Sequence, residues 1–122
     1  MPTTLKTDAA TAIATIEVDG RVTREDFDAL APEFEAFIDA MGTIRLIEII
    51  HNLDGFDSGL VWKGLKLDMK VLPHISHCAV VGDIGWMSPL TKAAGAVIST
   101  KLRTFSMDEL DAAKAWIADP DA

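Results

Sequence analysis

Residues 44–50, Ile-Arg-Leu-Ile-Glu-Ile-Ile, constrain this chain more than any other stretch. The run is almost wholly apolar and β-branched, broken by Arg45 and Glu48. It reads as a strand buried on both faces. Such a strand calls for parallel neighbours in a sheet that helices cover on its two sides. The flanking sequence must therefore supply both strands and helices.

It does. Residues 3–8 and 12–18 read as two strands, the second with Ala12, Ala14, Ile16 and Val18 on one face. Asp8–Ala9–Ala10 turns the chain between them, and Asp19–Gly20 ends the second strand with turn chemistry. Thr23 is an N-cap, with Asp26 three residues on in the manner of a capping box. Phe27, Leu30, Phe34, Ile38 and Met41 then form one stripe of an amphipathic helix that Gly42 stops, with Pro32 an irritant inside it. After the 44–50 strand come a loop at 51–57, a helix over 58–72 that Pro73 ends, and a short strand over 78–81. A helix over 85–98 and a strand over 101–105 follow. Ser106 and Glu109 form a capping box for a last helix carrying Leu110, Ala113 and Ile117. The order is β-β-α-β-α-β-α-β-α. It predicts an α/β fold with a mixed, mainly parallel sheet of about five strands and about four helices, its crossovers right-handed.

The chain has 122 residues, without linker, repeat or low-complexity tract, which suits a single domain. A formal net charge of −8 argues against nucleic acid, whose binding rests on Lys and Arg neutralising phosphates. The acids Glu25, Asp26, Asp28, Glu33, Glu35 and Asp39 gather on the first predicted helix as a solvated face. No apolar run approaches the roughly 20 residues of a membrane span, and the first ten residues hold no signal-peptide core. Cys78 is the one cysteine, so no internal disulfide forms. The expectation is a cytoplasmic protein.

Residue types leave a Ser-His-acid set open, from Ser58 and the histidines His51, His74 and His77. Ser58, however, sits in Gly-Phe-Asp-Ser-Gly and not in a G-x-S-x-G elbow. His74, His77 and Cys78 match no metal-ligand spacing, and no phosphate-binding glycine motif is present. The chain reads as a non-enzyme without metal or cofactor. The 58–72 helix carries more information. Its apolar residues spread around most of the circumference, and Lys63, Lys66 and Lys70 fall at i, i+3 and i+7 as one basic stripe. Either the lysine stems cover apolar surface while their heads stay solvated, or the helix serves an interface with a membrane or a partner. Trp62, Trp86 and Trp116 lie on predicted helices, with core packing the default for each. Trp86 and Met87 open a helix whose middle, Ala93–Ala94–Gly95–Ala96, is small, which allows close helix approach or leaves a groove that an apolar ligand could fill.

The element order, with Asp57-Ser58-Gly59-Leu60 opening the second helix, resembles the STAS domain of anti-anti-sigma factors. Within that group the chain is most similar to the small stand-alone SpoIIAA-like proteins. The resemblance rests on Gly55–Phe56, Trp62 and Lys66, on Ala79–Val80–Val81–Gly82–Asp83 with Trp86, and on Gly20–Arg21–Val22–Thr23 followed by acids and Phe27. It implies the STAS fold. In anti-anti-sigma factors a partner kinase phosphorylates the hydroxyl residue before the Gly-Leu pair, which here is Ser58, while Asp57 occupies the preceding serine position. The stand-alone branch implies association with lipid or membrane and an apolar pocket between helices. Lys63–Gly64 stands where acids often follow the tryptophan, and Val71 where a histidine is often found.

The leading expectation is a non-enzymatic binding module. An apolar or lipid-like ligand, or an anionic membrane surface met peripherally, would contact the 58–72 and 85–98 helices through Phe56, Trp62, Lys63, Lys66, Lys70, Trp86 and Met87. The alternative is a regulator switched by phosphorylation of Ser58 that binds an anti-sigma-like protein. A homodimer is compatible with either. Ser58 itself reads as the N-cap of the second helix.

Overall fold

The computed structural model describes residues 2–82 and 100–121. The helix expected over 85–98, with Trp86 and Met87, lies outside the described residues. Five strands form one sheet in the order β1 (Thr3–Asp8), β2 (Ile13–Val22), β3 (Ile44–Phe56), β4 (Ile75–Val81), β5 (Lys101–Phe105). β1 is antiparallel to β2, and every other neighbouring pair is parallel. The 44–50 run lies at the centre of the sheet and is apolar on both faces for that reason. Leu46 packs under α1 (Arg24–Met41) and α2 (Leu60–Val71), together with Leu30, Phe34, Ile38, Val71 and Cys78. Ile47 and Ile49 pack under α3 (Leu110–Ala118), together with Ala79, Val81, Phe105, Ala113 and Ile117. The sheet thus separates two cores.

α1 starts where the sequence predicts. Thr23 Oγ1 accepts from Asp26 N at 3.1 Å, and the stripe residues Leu30, Phe34 and Ile38 are buried. Pro32 lies within the helix on an exposed position, so its missing N–H faces no buried acceptor. The capping box is incomplete in one respect. Asp26 does not reach back to Thr23; its buried Oδ2 accepts from Thr3 N at 3.1 Å and so ties β1 to α1. The second capping box forms, with Glu109 Oε1 accepting from Ser106 N at 2.9 Å, although a short 3-10 turn (Met107–Glu109) precedes α3.

Three boundaries differ from expectation. β2 runs on through Asp19–Gly20 to Val22, and β3 runs on through residues read as a loop to Phe56. These overruns pair with each other across two register shifts, Gly20 (φ +122°) and Gly55 (φ +125°) adopting conformations that a side chain would oppose. β4 begins three residues earlier than expected, directly after a 3-10 turn (Leu72–His74) that holds Pro73.

Candidate functional site

β3 sends alternate side chains to the α1–α2 face: Leu46, Glu48 and Ile50. The bulged overrun adds Leu53 and Phe56. Ile16 and Val18 continue the wall on β2, and Cys78 and Val80 continue it on β4. Phe27, Leu30 and Phe34 of α1 roof one side, and Gly64, Leu67 and Val71 of α2 roof the other. Between roof and sheet lies an apolar cavity of about 200 Å³. α2 is anchored near its two ends by the buried Leu60 and Val71, and Leu67 between them packs partly buried against the same core. A Cβ on Gly64 would meet nothing within 4 Å. A glycine inside a helix costs roughly 0.5–1 kcal/mol against alanine, so this wall keeps room that a better helix former would take up.

The polar groups of the wall are few. Thr100 Oγ1 lies 2.6 Å from the carbonyl oxygen of Ile75 and 3.0 Å from that of Leu72. Thr3 and Glu48 are the other polar residues among its described lining.

The outer face of α2 is the complement of the inner one. Trp62 and Met69, seven residues apart on the same side, are each 64% exposed. The core default for Trp62 is therefore corrected: Leu60 takes the buried position at the start of α2, and Trp62 points to solvent. Met69, left out of the sequence-based site, belongs beside it. Of the basic stripe, Lys63 Nζ lies 3.9 Å from Asp28 Oδ1 and Lys70 Nζ lies 3.1 Å from Glu35 Oε1. The two pairs share one offset of 35 residues, so α2 lies alongside α1 in parallel register, and the acidic face of α1 is partly neutralised. Exposed pairs of this kind are worth about 0–1 kcal/mol each. Lys66 is exposed and, among the described residues, makes no ion pair.

Phe56 lines the cavity. The turn after it brings together residues that sequence spacing could not connect. Asp57 accepts from Arg21 Nε at 2.8 Å and from the backbone N of Arg24 at 2.9 Å. The Arg21 hydrogen bond, followed by the Arg24 N–H, holds its carboxyl below the ordinary carboxylate range. Arg21 Nη2 also donates to Phe56 O at 2.8 Å, and Arg24 Nη2 donates to Ser58 O. The Asp57 carboxylate thus serves the N-terminus of α1, while its backbone carbonyl accepts from Leu60 N at the start of α2 at 3.1 Å. Ser58 is exposed, two residues ahead of Leu60, with Gly59 (φ +81°) between them. The expected N-cap position is displaced by that glycine.

The histidines lead elsewhere. His51 Nε2 lies 3.1 Å from Glu17 Oε2, and His77 Nδ1 lies 2.9 Å from Ser76 Oγ. Burial holds His77 below the usual imidazole range, assisted by Lys101 and Arg45 and opposed by Asp121. His77 packs edge-on to Trp116, whose ring also lies under the Arg103 guanidinium, so Trp116 is half-buried on the α3 side of the sheet. Among the described residues no hydrogen bond joins Ser58 to a histidine, and no group of three or more His, Cys, Asp or Glu side chains gathers to hold a metal. No described helix is long and apolar enough to cross a membrane.

A family model described as SpoIIAA-like matches residues 13–118. No curated protein matches the chain. Among solved structures, an uncharacterized protein from the DUF3478 family with a SpoIIAA-like fold, from Shewanella loihica PV-4, is similar at TM-score 0.73 and 20% identity. The likeness covers 94% of this chain and 91% of that one, and it speaks for the fold alone.

Proposed function

We propose, from the premise that this chain belongs to the SpoIIAA-like family, that it is a non-enzymatic regulatory and binding module for an apolar or lipid-like ligand. The observation that carries this reading is the apolar cavity under α2, a helix that also exposes Trp62 and Met69. The ligand occupies the space between the α1–α2 roof and the sheet. The outer face of α2 rests on an anionic membrane surface, with Trp62 and Met69 as apolar contacts and Lys66 as the cation open to lipid phosphate. Lys63 and Lys70 contribute less at first contact, because Asp28 and Glu35 already hold them.

Flotation of the whole protein with liposomes tests the membrane part. At low salt the protein should float with vesicles containing anionic phosphatidylserine and less with neutral phosphatidylcholine vesicles. Trp62→Ser should reduce the floated fraction several-fold, since one aromatic anchor supplies roughly 1.5–3 kcal/mol of transfer free energy. Absence of flotation with either vesicle ends the membrane reading.

A second reading is favoured by the exposure of Ser58 beside two guanidinium groups. A phosphate there would meet Arg24 and Arg21 at the N-terminus of α2, where helix dipole and free N–H groups favour an anion. The neighbouring Asp57 repels it less than its sequence position suggests, being already paired. This makes Ser58 the switch of a regulator that binds an anti-sigma-like protein. Mass spectrometry of the protein from its native cells should find Ser58 phosphorylated, and Ser58→Glu should capture less of that partner than Ser58→Ala does. Unmodified Ser58 together with equal capture by both variants removes this reading.

A further inference from the structure

The face of the sheet beneath α3 carries one group whose positive form the fold does not provide for. His77 lies on β4, paired with Arg45 on β3 and with Lys101 on β5. Its Nδ1 lies 2.9 Å from Ser76 Oγ, and Ser76 Oγ donates to the carbonyl oxygen of Ile44 at 3.4 Å. The proton of the neutral ring therefore sits on Nδ1, and Nε2 presents a lone pair. Nε2 is buried and, among the described residues, has no hydrogen-bond partner. A bare lone pair on a neutral ring costs little; a bare N–H on a charged ring costs far more. Trp116 of α3 stands edge-on to the imidazole, with ring centroids 5.6 Å apart. The Arg103 guanidinium lies 5.3 Å over the same indole. Charged groups thus face His77 from each element packed there: Arg45 from β3, Lys101 from β5 and, through the indole, Arg103, with Asp121 beyond α3 as the acid that opposes them among the described residues.

α3 is the element that can yield. It has 9 residues, fewer than the roughly 12–15 that a helix needs to persist unaided, so docking maintains it. Ala113 and Ile117 supply its buried contacts, and Arg45 Nη1 ties its end by donating to Ala118 O at 3.2 Å. We infer that His77 is a proton-operated latch on α3: the neutral ring seats Trp116, and the protonated ring, held between Arg45 and Lys101, drives α3 off the sheet and bares Ala79, Val81 and Phe105. Burial, then Lys101, with Arg45 after them, holds the imidazole below its ordinary 6.5, while Asp121 pulls the other way. The neutral ring's contribution is therefore whole above pH 6.5 and is lost as pH falls below it. The docking equilibrium shifts by up to about tenfold per pH unit in that window. Neither the cavity nor Ser58 enters the latch.

Amide hydrogen exchange of the full chain at about pH 7.5 and about pH 5.5, expressed as protection factors, tests it. On acidification, protection at Ala113 and Ile117 should fall at least about fivefold relative to Phe34 and Ile38 of α1. His77→Gln is neutral at both pH values and should abolish that loss. His51→Gln, at the exposed pair with Glu17, should show it as the parent does. Lys101→Glu, at an exposed position, sets an anion beside the ring and should cut the loss to about twofold or less. Equal changes in α1 and α3 of the parent overturn the inference. So does a loss at α3 that persists in His77→Gln or, should that variant not fold, one that Lys101→Glu leaves unaltered.

Discussion

Ile49→Ala is expected to lower the unfolding free energy by about 4 kcal/mol, and Leu46→Ala by about 2–3 kcal/mol. The two residues make a matched pair. Both lie on β3, both lose the same number of carbons on truncation, and both are buried, at 2% and 4% exposure. Three positions apart, they face opposite sides of the sheet. Ile49 packs among Val81, Phe105 and Ile117 under α3 and is not among the residues that line the cavity under α2. Truncation there opens a new void in a filled core, so a cavity penalty adds to the lost transfer free energy. Leu46 already faces the space beneath α2. Part of its surface has no partner atoms to lose, so its truncation forfeits less dispersion. Urea unfolding of the two variants against the parent measures the difference directly. Equal losses at the two positions would mean that the α2 side is as closely filled as the α3 side, and the cavity would lose its standing as a ligand site.

The α/β order was legible because it depends on local periodicity. The Leu30–Phe34–Ile38 stripe and the 44–50 run each declare their environment within a few residues, and both lie where their patterns place them. The overrun of β3 was hidden because His51, Asn52 and Asp54 are exposed there and, among the described residues, the segment pairs with β2 alone, so no alternation of burial marks it. Glycines at φ above +120° imitated a turn inside strands. Propensity reads such residues as chain reversals; pairing between distant segments overrides it.

The site was legible by region and not by partner. The second helix was singled out from its lysines and tryptophan, and the structure places Trp62 on its exposed face. That two of the three lysines answer acids on α1 is a fact of helix packing. Asp28 to Lys63 and Glu35 to Lys70 are related only once the two helices lie side by side. The same holds for Asp57, whose proton affinity and capping role are set by Arg21 and Arg24, more than thirty residues earlier. The cavity is shared by α1, α2 and the sheet. The sequence pointed to α2 and to residues 85–98, which lie outside the described residues, and gave no sign that Phe27, Leu30 and Phe34 of α1 serve the cavity as well as the core.

Asp26→Ala is expected to lower the unfolding free energy by about 1–3 kcal/mol, although the residue sits on the most acidic helix of an acidic chain. Removing one negative charge from a molecule of net charge −8 should help on electrostatic grounds alone. The local structure outweighs that gain. Asp26 is 5% exposed in the first turn of α1, where the helix dipole favours a carboxylate. Its Oδ2 holds the N–H of Thr3, the first residue of β1. Alanine leaves that N–H buried without an acceptor, and β1 is an edge strand that, among the described residues, pairs with β2 on one side. Asp28→Ala is the control, since Asp28 is exposed and its link to Lys63 spans 3.9 Å; it should cost under about 1 kcal/mol. Asp26→Asn keeps an acceptor oxygen and should fall between the two. Chemical unfolding gives the magnitudes, and amide exchange at Thr3 and Leu5 locates them, with faster exchange expected in Asp26→Ala alone. Equal stability of the Asp26→Ala and Asp28→Ala variants would reduce Asp26 to another solvated acid. It would also detach Thr3 from α1.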